Sequence, residues 1–480
     1  MDNLHFSLIN DQATKRRIRI LVKISETSSP LDVQLLIKEL NIHKSTFYSD
    51  YNFLIATFPD TICLIEFKNK TVLKRIADSS IIKENIKKLL NDQPLPIIIE
   101  SIFNGSLETI THYCEKLYIS VSSIRQLLTL LKKVLKEFDL TISTNPINII
   151  GNEISIRYFY FQYFRYTQEN LSIFSNSSHL DFIYHIIREI SIDYGSVLST
   201  DYYRLSHWLL IVETRINQGH TVSISSDTFN FYKDKDSFIR FKKAVNRYFF
   251  PSKLREKITP SEILFAYLIR LDSLTYEDPK YYFTDDYYIE LKKFEKLTSL
   301  FFKQAKLSIA SHNVLKNILE AFLVNLTNLS NLSPLFQTTS SQLLNLAQKK
   351  HPNTLKLWTE ILISDGTFLY PDQLAVKLTL ITSAKMQVLT KKNILFSLTG
   401  DPSTIIYYRE MARKNVPKDM NCFFLFNQPL TEDILYHLNI DICIFNFPLS
   451  HSLGPVELIQ LSYNPSDSEW TELLHTLHKV

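Results

Sequence analysis

Glycine is nearly missing, with seven residues in a chain of 480, or about 1.5% where roughly 7% is usual. The seven stand at 105, 151, 195, 219, 366, 400 and 454, so no two lie closer than 24 positions. Phosphate-cradling loops need clustered glycines to bring backbone N–H groups onto the ligand, so neither G-x-G-x-x-G nor G-x-x-x-x-G-K-[ST] can occur. The common nucleotide-loop enzymes are excluded, and no cofactor is expected. The scarcity also argues against an all-β chain full of tight turns and favours a mainly helical one.

Other absences narrow the class further. No run approaches the ~18 apolar residues of a membrane span, and the start MDNLHFSLINDQ lacks a secretory apolar segment. With a mean hydropathy of −0.05, the expected setting is the cytoplasm, with no membrane partner. The four cysteines, Cys63, Cys114, Cys422 and Cys443, form no C-x-x-C and each falls in an apolar stretch. They read as buried, reduced thiols. Thirteen histidines include no H-E-x-x-H, and His475 and His478 with Glu472 lack a fourth ligand, so no metal site is expected.

Charge is present but uneven. Residues 1–90 hold fourteen Lys and Arg against ten Asp and Glu, which is the whole of the chain's net charge of +4. Lys15, Arg16, Arg17, Arg19 and Lys23 cluster within it. A positive end on a neutral body suggests a polyanion-binding head, with a solvated helix face as the alternative.

An internal repeat at an offset of 77 is more informative. LDVQLLIKELNIHKSTFYSDYNFL (31–54) lies over ETITHYCEKLYISVSSIRQLLTLL (108–131), matching Val33 to Ile110, Leu40 to Leu117, Ile42 to Ile119 and Leu54 to Leu131. In each copy apolar residues recur at steps of three and four, break for a short turn and resume, which is the helix-turn-helix pattern. Burying Phe47, Tyr51 and Leu54, or Ile124, Leu128 and Leu131, turns the other side of the second helix toward a major groove. That side offers Lys44, Ser45, Tyr48, Ser49 and Asn52 in the first copy. In the second it offers Ser122, Arg125, Gln126 and Thr129, with Lys132 and Lys133 further along. Arg and Gln suit bidentate base contacts, and Ser, Thr and Lys suit phosphates. Ser120 is a good N-cap for the second reading helix, and His43 a poorer one for the first. A wing should follow each unit: TICLIEFKNKTVLKRI turning at Lys68-Asn69-Lys70, and LTISTNPINII turning at Asn145-Pro146 and ending at Gly151. Basic residues of the first wing would meet the phosphate backbone.

From about 152 to 390 the pattern is helical and lacks catalytic spacing. EISIRYFYFQYFRY, HLDFIYHIIREIS, RLSHWLLIVETRINQ and SEILFAYLIRL form one set of amphipathic helices. YYIELKKFEKLTSLFFKQA, NVLKNILEAFLVNLTNL, NTLKLWTEILIS and PDQLAVKLTLITSA form a second, so two bundles are implied. Asp227–Asp236 and Ser273–Asp286 read as loops. His207 and His220 read as an interior histidine and a helix C-terminal dipole partner. In the last ninety residues KNILFSLT, NCFFLF, DICIFNF and VELIQLS alternate with helices, which predicts a small four-stranded parallel α/β domain. Its first strand-to-helix loop, Ser397–Ser403, sits where such folds bind phosphate but carries no Cys, Lys or Arg.

In this order these parts resemble the Mga/AtxA/RofA-like transcriptional regulators of Gram-positive bacteria, most specifically over 91–166. The resemblance implies a mainly α, multidomain chain. Two winged helix-turn-helix domains (1–80 and 81–166) would precede two helical bundles like phosphotransferase-system regulation domains (PRDs; 167–284 and 285–388). A C-terminal α/β domain similar to the EIIB phosphotransferase component (389–480) would follow. It implies a non-enzymatic regulator of the global, virulence type, bound to double-stranded promoter DNA as a homodimer. It also implies tuning by phosphotransferase-system phosphocarrier proteins at bundle histidines. By position His207 resembles the first such histidine, and His312 in ASHNVLKN and His220 are looser matches. An RNA-binding antiterminator carrying PRDs is an alternative, although those begin with a small β domain. A regulator or scaffold that binds phosphotransferase proteins without nucleic acid is another.

Overall fold

The structure, a computed structural model, describes residues 3–27, 29–165, 200–248, 257–274, 276, 288–309, 312–389, 392–417, 420–449 and 456–479. The chain is mainly helical and divides into two compact units, Met1–Thr379 and Leu380–Val480.

The repeat is reproduced residue for residue at the head of the first unit. Helix α1 (Asn3–Leu8) and helix α2 (Gln12–Ser25) precede strand β1 (Leu31–Asp32). Helix α3 (Val33–Leu40) then turns into α4 (Lys44–Thr57). Helices α7 (Ile110–Leu117) and α8 (Val121–Leu135) begin 77 positions after α3 and α4. Both first helices have an oxygen-bearing cap, Asp32 on the amides of Gln34 and Leu35 and Thr109 on that of His112. The Ser120 hydroxyl accepts from the amide of Ser123, whereas His43 makes no side-chain cap bond.

Each unit carries its hairpin. Strands β2 (Ile62–Phe67) and β3 (Lys70–Arg75) pair antiparallel through a two-residue turn in which Lys68 and Asn69 both take positive φ, the geometry that matches strand twist. Strand β1 adds to β3. Strands β4 (Thr141–Thr144) and β5 (Ile147–Ile150) pair across Asn145-Pro146. There the amide of Ile147 bonds to the carbonyl of Glu108, the residue matching Leu31 of β1. Helix α5 (Ser79–Asn91) supplies Ile82, Ile86 and Leu89 to the core of the first helix-turn-helix copy, while α6 (Pro94–Phe103) packs on α8 and β5 of the second copy. Helix α1 joins both: Phe6 reaches the first core, and His5 lies tilted against Tyr163 of helix α9 (Glu153–Arg165), ring centroids 5.0 Å apart.

Beyond α9 the expected helices lie at Tyr202–Asn217, Pro260–Ile269, Tyr288–Gln304, Asn313–Ser330, Pro352–Asp365 and Pro371–Leu389. The segment HLDFIYHIIREIS lies outside the described residues, as does nearly all of Ser273–Asp286. The loop expected at Asp227–Asp236 is instead largely a helix, Ser226–Tyr232, followed by a second at Asp236–Tyr248. Ser225 caps the first, and Tyr232 drives it into the core beside Tyr267; the dense charge of the segment had hidden that anchor. Helix Ser341–Lys350 is a further element.

The second unit holds the parallel sheet, with strands β6 (Asn393–Leu398), β7 (Asn421–Phe426), β8 (Ile442–Phe445) and β9 (Glu457–Gln460) in the order β7-β6-β8-β9. Alternation along β6 serves both faces. Ile394, Phe396 and Leu398 pack with helices Pro402–Asn415 and Asp467–Lys479, while Leu395 packs with the side carrying Leu435. The cysteines are free thiols: Cys443 is buried, its pKa pushed by burial up to about 12, but Cys63, Cys114 and Cys422 are only half-buried.

Candidate nucleic-acid interface

Helix α8 is fixed from one side. Ile124, Leu127, Leu128, Leu131, Val134 and Leu135 are buried. The opposite side, with Ser122, Arg125, Gln126, Thr129, Lys132 and Lys133, is exposed along its length. The Ser122 hydroxyl bonds to that of Ser120 at 2.8 Å and Thr129 donates to the carbonyl of Arg125, so these two are held close to the helix. The two lysines in the last turn also complement the helix dipole.

Helix α4 is built differently. Phe47 and Leu54 are buried and Tyr51 half-buried, its hydroxyl accepting from the amide of Leu64 on the hairpin. Lys44, Ser45, Ser49 and Asn52 are exposed, whereas Tyr48 is half-buried edge-on to Phe47. On the buried side stands Asp50, 1% exposed. Arg16 reaches it at 2.8 Å and Arg17 at 3.0 Å.

That pairing engages part of the basic cluster. Arg16 and Arg17 neutralise Asp50, Arg17 also stacks on Phe53 at 3.5 Å, Arg19 lies over Phe6, and Lys23 pairs with Glu39. Arg16 and Arg17 dock α2 on α4, while Arg19 is exposed and Lys15 half-buried. Asp50 was missed in the sequence although its place, three residues after Phe47 and four before Leu54, marks the buried stripe. On the hairpin, Lys70 pairs with Asp32 at 3.0 Å and Arg75 donates to Ser79, while Lys68 and Lys74 are exposed.

The turns of the two units close alike. Asn41 and Tyr118 occupy matching positions with φ of 51° and 54°. The next amides, of Ile42 and Ile119, bond back to the carbonyls of Ile37 and Cys114. Left-handed backbone suits asparagine and costs a bulky residue roughly 1–2 kcal/mol. Tyr118 is 95% exposed.

The candidate regulatory histidines are dispersed. His207 is 1% exposed, edge-on to Phe161 at 6.0 Å and adjacent to Trp208, which stacks on that same ring. His312 is half-buried at the start of helix Asn313–Ser330, with Nδ1 2.8 Å from the carbonyl of Ser308. His220 is exposed just past helix Tyr202–Asn217. Partial burial and the Arg215 charge lower its pKa.

Beside His220 lies a buried ion network. Arg157 of α9 grips Glu262 with two bonds of 2.7 and 2.8 Å, reaches Glu153 at 3.0 Å and donates to the carbonyl of His220 at 3.1 Å. Arg215 holds Glu153 at 2.9 and 2.8 Å, and the amide of Val222 donates to Glu262. Burial would raise the Glu153 pKa, but the Arg215 bond with the Arg215 and Arg157 charges outweighs it and holds the carboxyl below its ordinary value. Gln218 donates to the carbonyl of Phe103 at 2.7 Å, tying α6 to the same region.

In the second unit the loop after β6 is closed on itself. The amides of Thr399 and Gly400 donate to the side chains of Asn446 (2.7 Å) and Asn427 (3.0 Å), which return bonds to the carbonyls of the same residues.

Residues 78–164, from the end of the first hairpin through α9, match the Mga helix-turn-helix domain. The segment resembles an Mga-type helix-turn-helix domain. The chain is 26% identical over 214 residues to the capsule synthesis positive regulator AcpA of Bacillus anthracis, covering 44% of each protein. It is 30% identical over 226 residues to a putative trans-acting regulator of Streptococcus pneumoniae, covering 45% of this chain and 44% of that one. The matched region therefore spans less than half the length of either relative. The resemblance to Mga/AtxA-like regulators is borne out, and the matched segment contains both α8 and the ion-paired end of α9. Among the described residues no helix is long and apolar enough to cross a membrane.

Proposed function

We propose that the chain is a DNA-binding transcriptional regulator whose Mga-type domain reads the major groove with α8. The observation that carries this reading is the exposed Arg125–Gln126 face on a helix whose other side is anchored in the core. Arg125 and Gln126 take base edges, and Ser122, Thr129, Lys132 and Lys133 take phosphates. Helix α4 contributes Lys44, Ser45, Ser49 and Asn52, with Tyr48 contributing from its half-buried place. Homodimeric binding to promoter DNA belongs to the same proposal.

Titration of the full chain against a duplex selected from a random pool tests it. Arg125→Ala and Gln126→Ala should each weaken binding by about 1–3 kcal/mol and relax base preference. Removing Lys132 or Lys133 should weaken all sequences alike and reduce the salt slope by about one. Unchanged affinity in the Arg125 and Gln126 variants would remove α8 as the reader.

Phosphorylation is the proposed input, at His207, His220 or His312. Of these, His220 is favoured by its exposure and by the positive charge of Arg215 and Arg157 near it. His207 would first have to leave its buried place beside Phe161. Treatment with phosphocarrier proteins, followed by the same titration on the three single alanine variants, separates them.

A further inference from the structure

We propose that Tyr118 is a DNA-contacting residue of the Mga-type domain, its phenol donating to a backbone phosphate and its ring lying on the adjoining deoxyribose. The inference rests on the reading of α8 as the groove helix and adds a contact outside that helix. Its first support is a comparison the chain makes with itself. Two turns with the same hydrogen bonds and nearly the same φ carry Asn41 in one unit and Tyr118 in the other. Asparagine is a residue that this backbone favours, and tyrosine is not. The fold takes nothing back for the strain, because the Tyr118 ring is 95% exposed and buries no surface. Strain of this kind with no structural return marks functional positions.

Its second support is place. Tyr118 stands two residues before Ser120, the cap of α8, and so on the end of the unit that leads into the groove. Val121, the first residue of α8, is exposed too, so this corner presents a phenol and apolar surface where the neighbouring turn of the helix presents Arg125 and Gln126. A neutral donor with a flat apolar ring suits a phosphate and its sugar, contacts that fix register without reading sequence. Because tyrosine carries no charge, its contribution releases no counterion and leaves the salt slope alone.

The test uses the full chain, a duplex selected by the unaltered protein from a random pool, and anisotropy titrations at several salt concentrations. Tyr118→Asn should bind roughly tenfold more weakly, with the same salt slope, the same base preference and a melting temperature no lower than the unaltered chain. Tyr118→Phe keeps both ring and strain and should fall between the two. Retained affinity in Tyr118→Asn while Arg125→Ala weakens binding overturns this inference alone. So does retained affinity accompanied by a change of mass in light scattering, which would make the tyrosine a protein contact. Equal affinity of Tyr118→Phe and the unaltered chain overturns the phosphate bond. Failure of the unaltered chain to select any duplex overturns both the DNA reading and this one.

Discussion

His5 is a base held without its proton. Its ring is buried against Tyr163, and that burial lowers its pKa from 6.5 to about 4. Between those values the unfolded chain takes up a proton that the folded chain refuses. The neutral ring therefore costs nothing above pH 6.5, and stability falls as the pH drops toward 4, by about 2 kcal/mol at pH 5. Denaturant titrations at pH 7.5 and pH 5 should show this difference, and His5→Phe should abolish most of it. Glu153 acts in the same direction at lower pH. Its depressed carboxyl contributes stability that is complete above its ordinary pKa of 4.5 and is lost as the pH falls through the folded value.

At the scale of elements, Gly151 ends the second hairpin with φ of 155°, and a Cβ there would lie 2.4 Å from Cδ2 of Leu140, itself buried. Gly151→Ala should cost about 1–3 kcal/mol through overpacking, visible as a lower melting temperature, and should loosen the hairpin against α8. Elements of this kind were legible in the sequence because their rules are local. Ser120 as a cap, Gly151 as a terminator and the short apolar run of β6 each depend on a few neighbours. The repeat was legible because duplication kept Ile42 and Ile119 in register. What escaped was decided at a distance. Asp50 meets Arg16 and Arg17 across more than thirty residues, and nothing in the run Lys15–Lys23 says that those guanidinium groups are already engaged. Helix Ser226–Tyr232 escaped for a related reason: Tyr232 anchors it on Tyr267 and Phe229 on Phe238, while its own segment reads as charged turn. The exposed side of α8 was legible by periodicity alone, since burying Ile124, Leu128 and Leu131 leaves Arg125, Gln126 and Thr129 outside.

At the scale of the whole molecule the strongest claim on stability is the network of Arg157, Glu262, Glu153 and Arg215. Buried charges are costly unless every lone pair and proton is met, and removing one partner strands the other. Glu262→Ala should lower the stability of the first unit by about 3–5 kcal/mol, measured as a shift of its calorimetric transition. Breaking the exposed Lys356–Glu360 pair should leave the scan unchanged. The network joins the last helix of the matched Mga segment to the helices beyond it.

The sharing of helices between the two repeated copies also bears on whether they can be separated. Helix α1, at the front of the first unit, lies against α8 and α9 of the second, and α5, inside the segment matched as the second, completes the core of the first. A crossover that exchanged either reading unit alone would carry off part of its neighbour's core. The pair is therefore built as one block: substitutions can alter the exposed face of α4 or α8 separately, but removing either copy would strip core from the other.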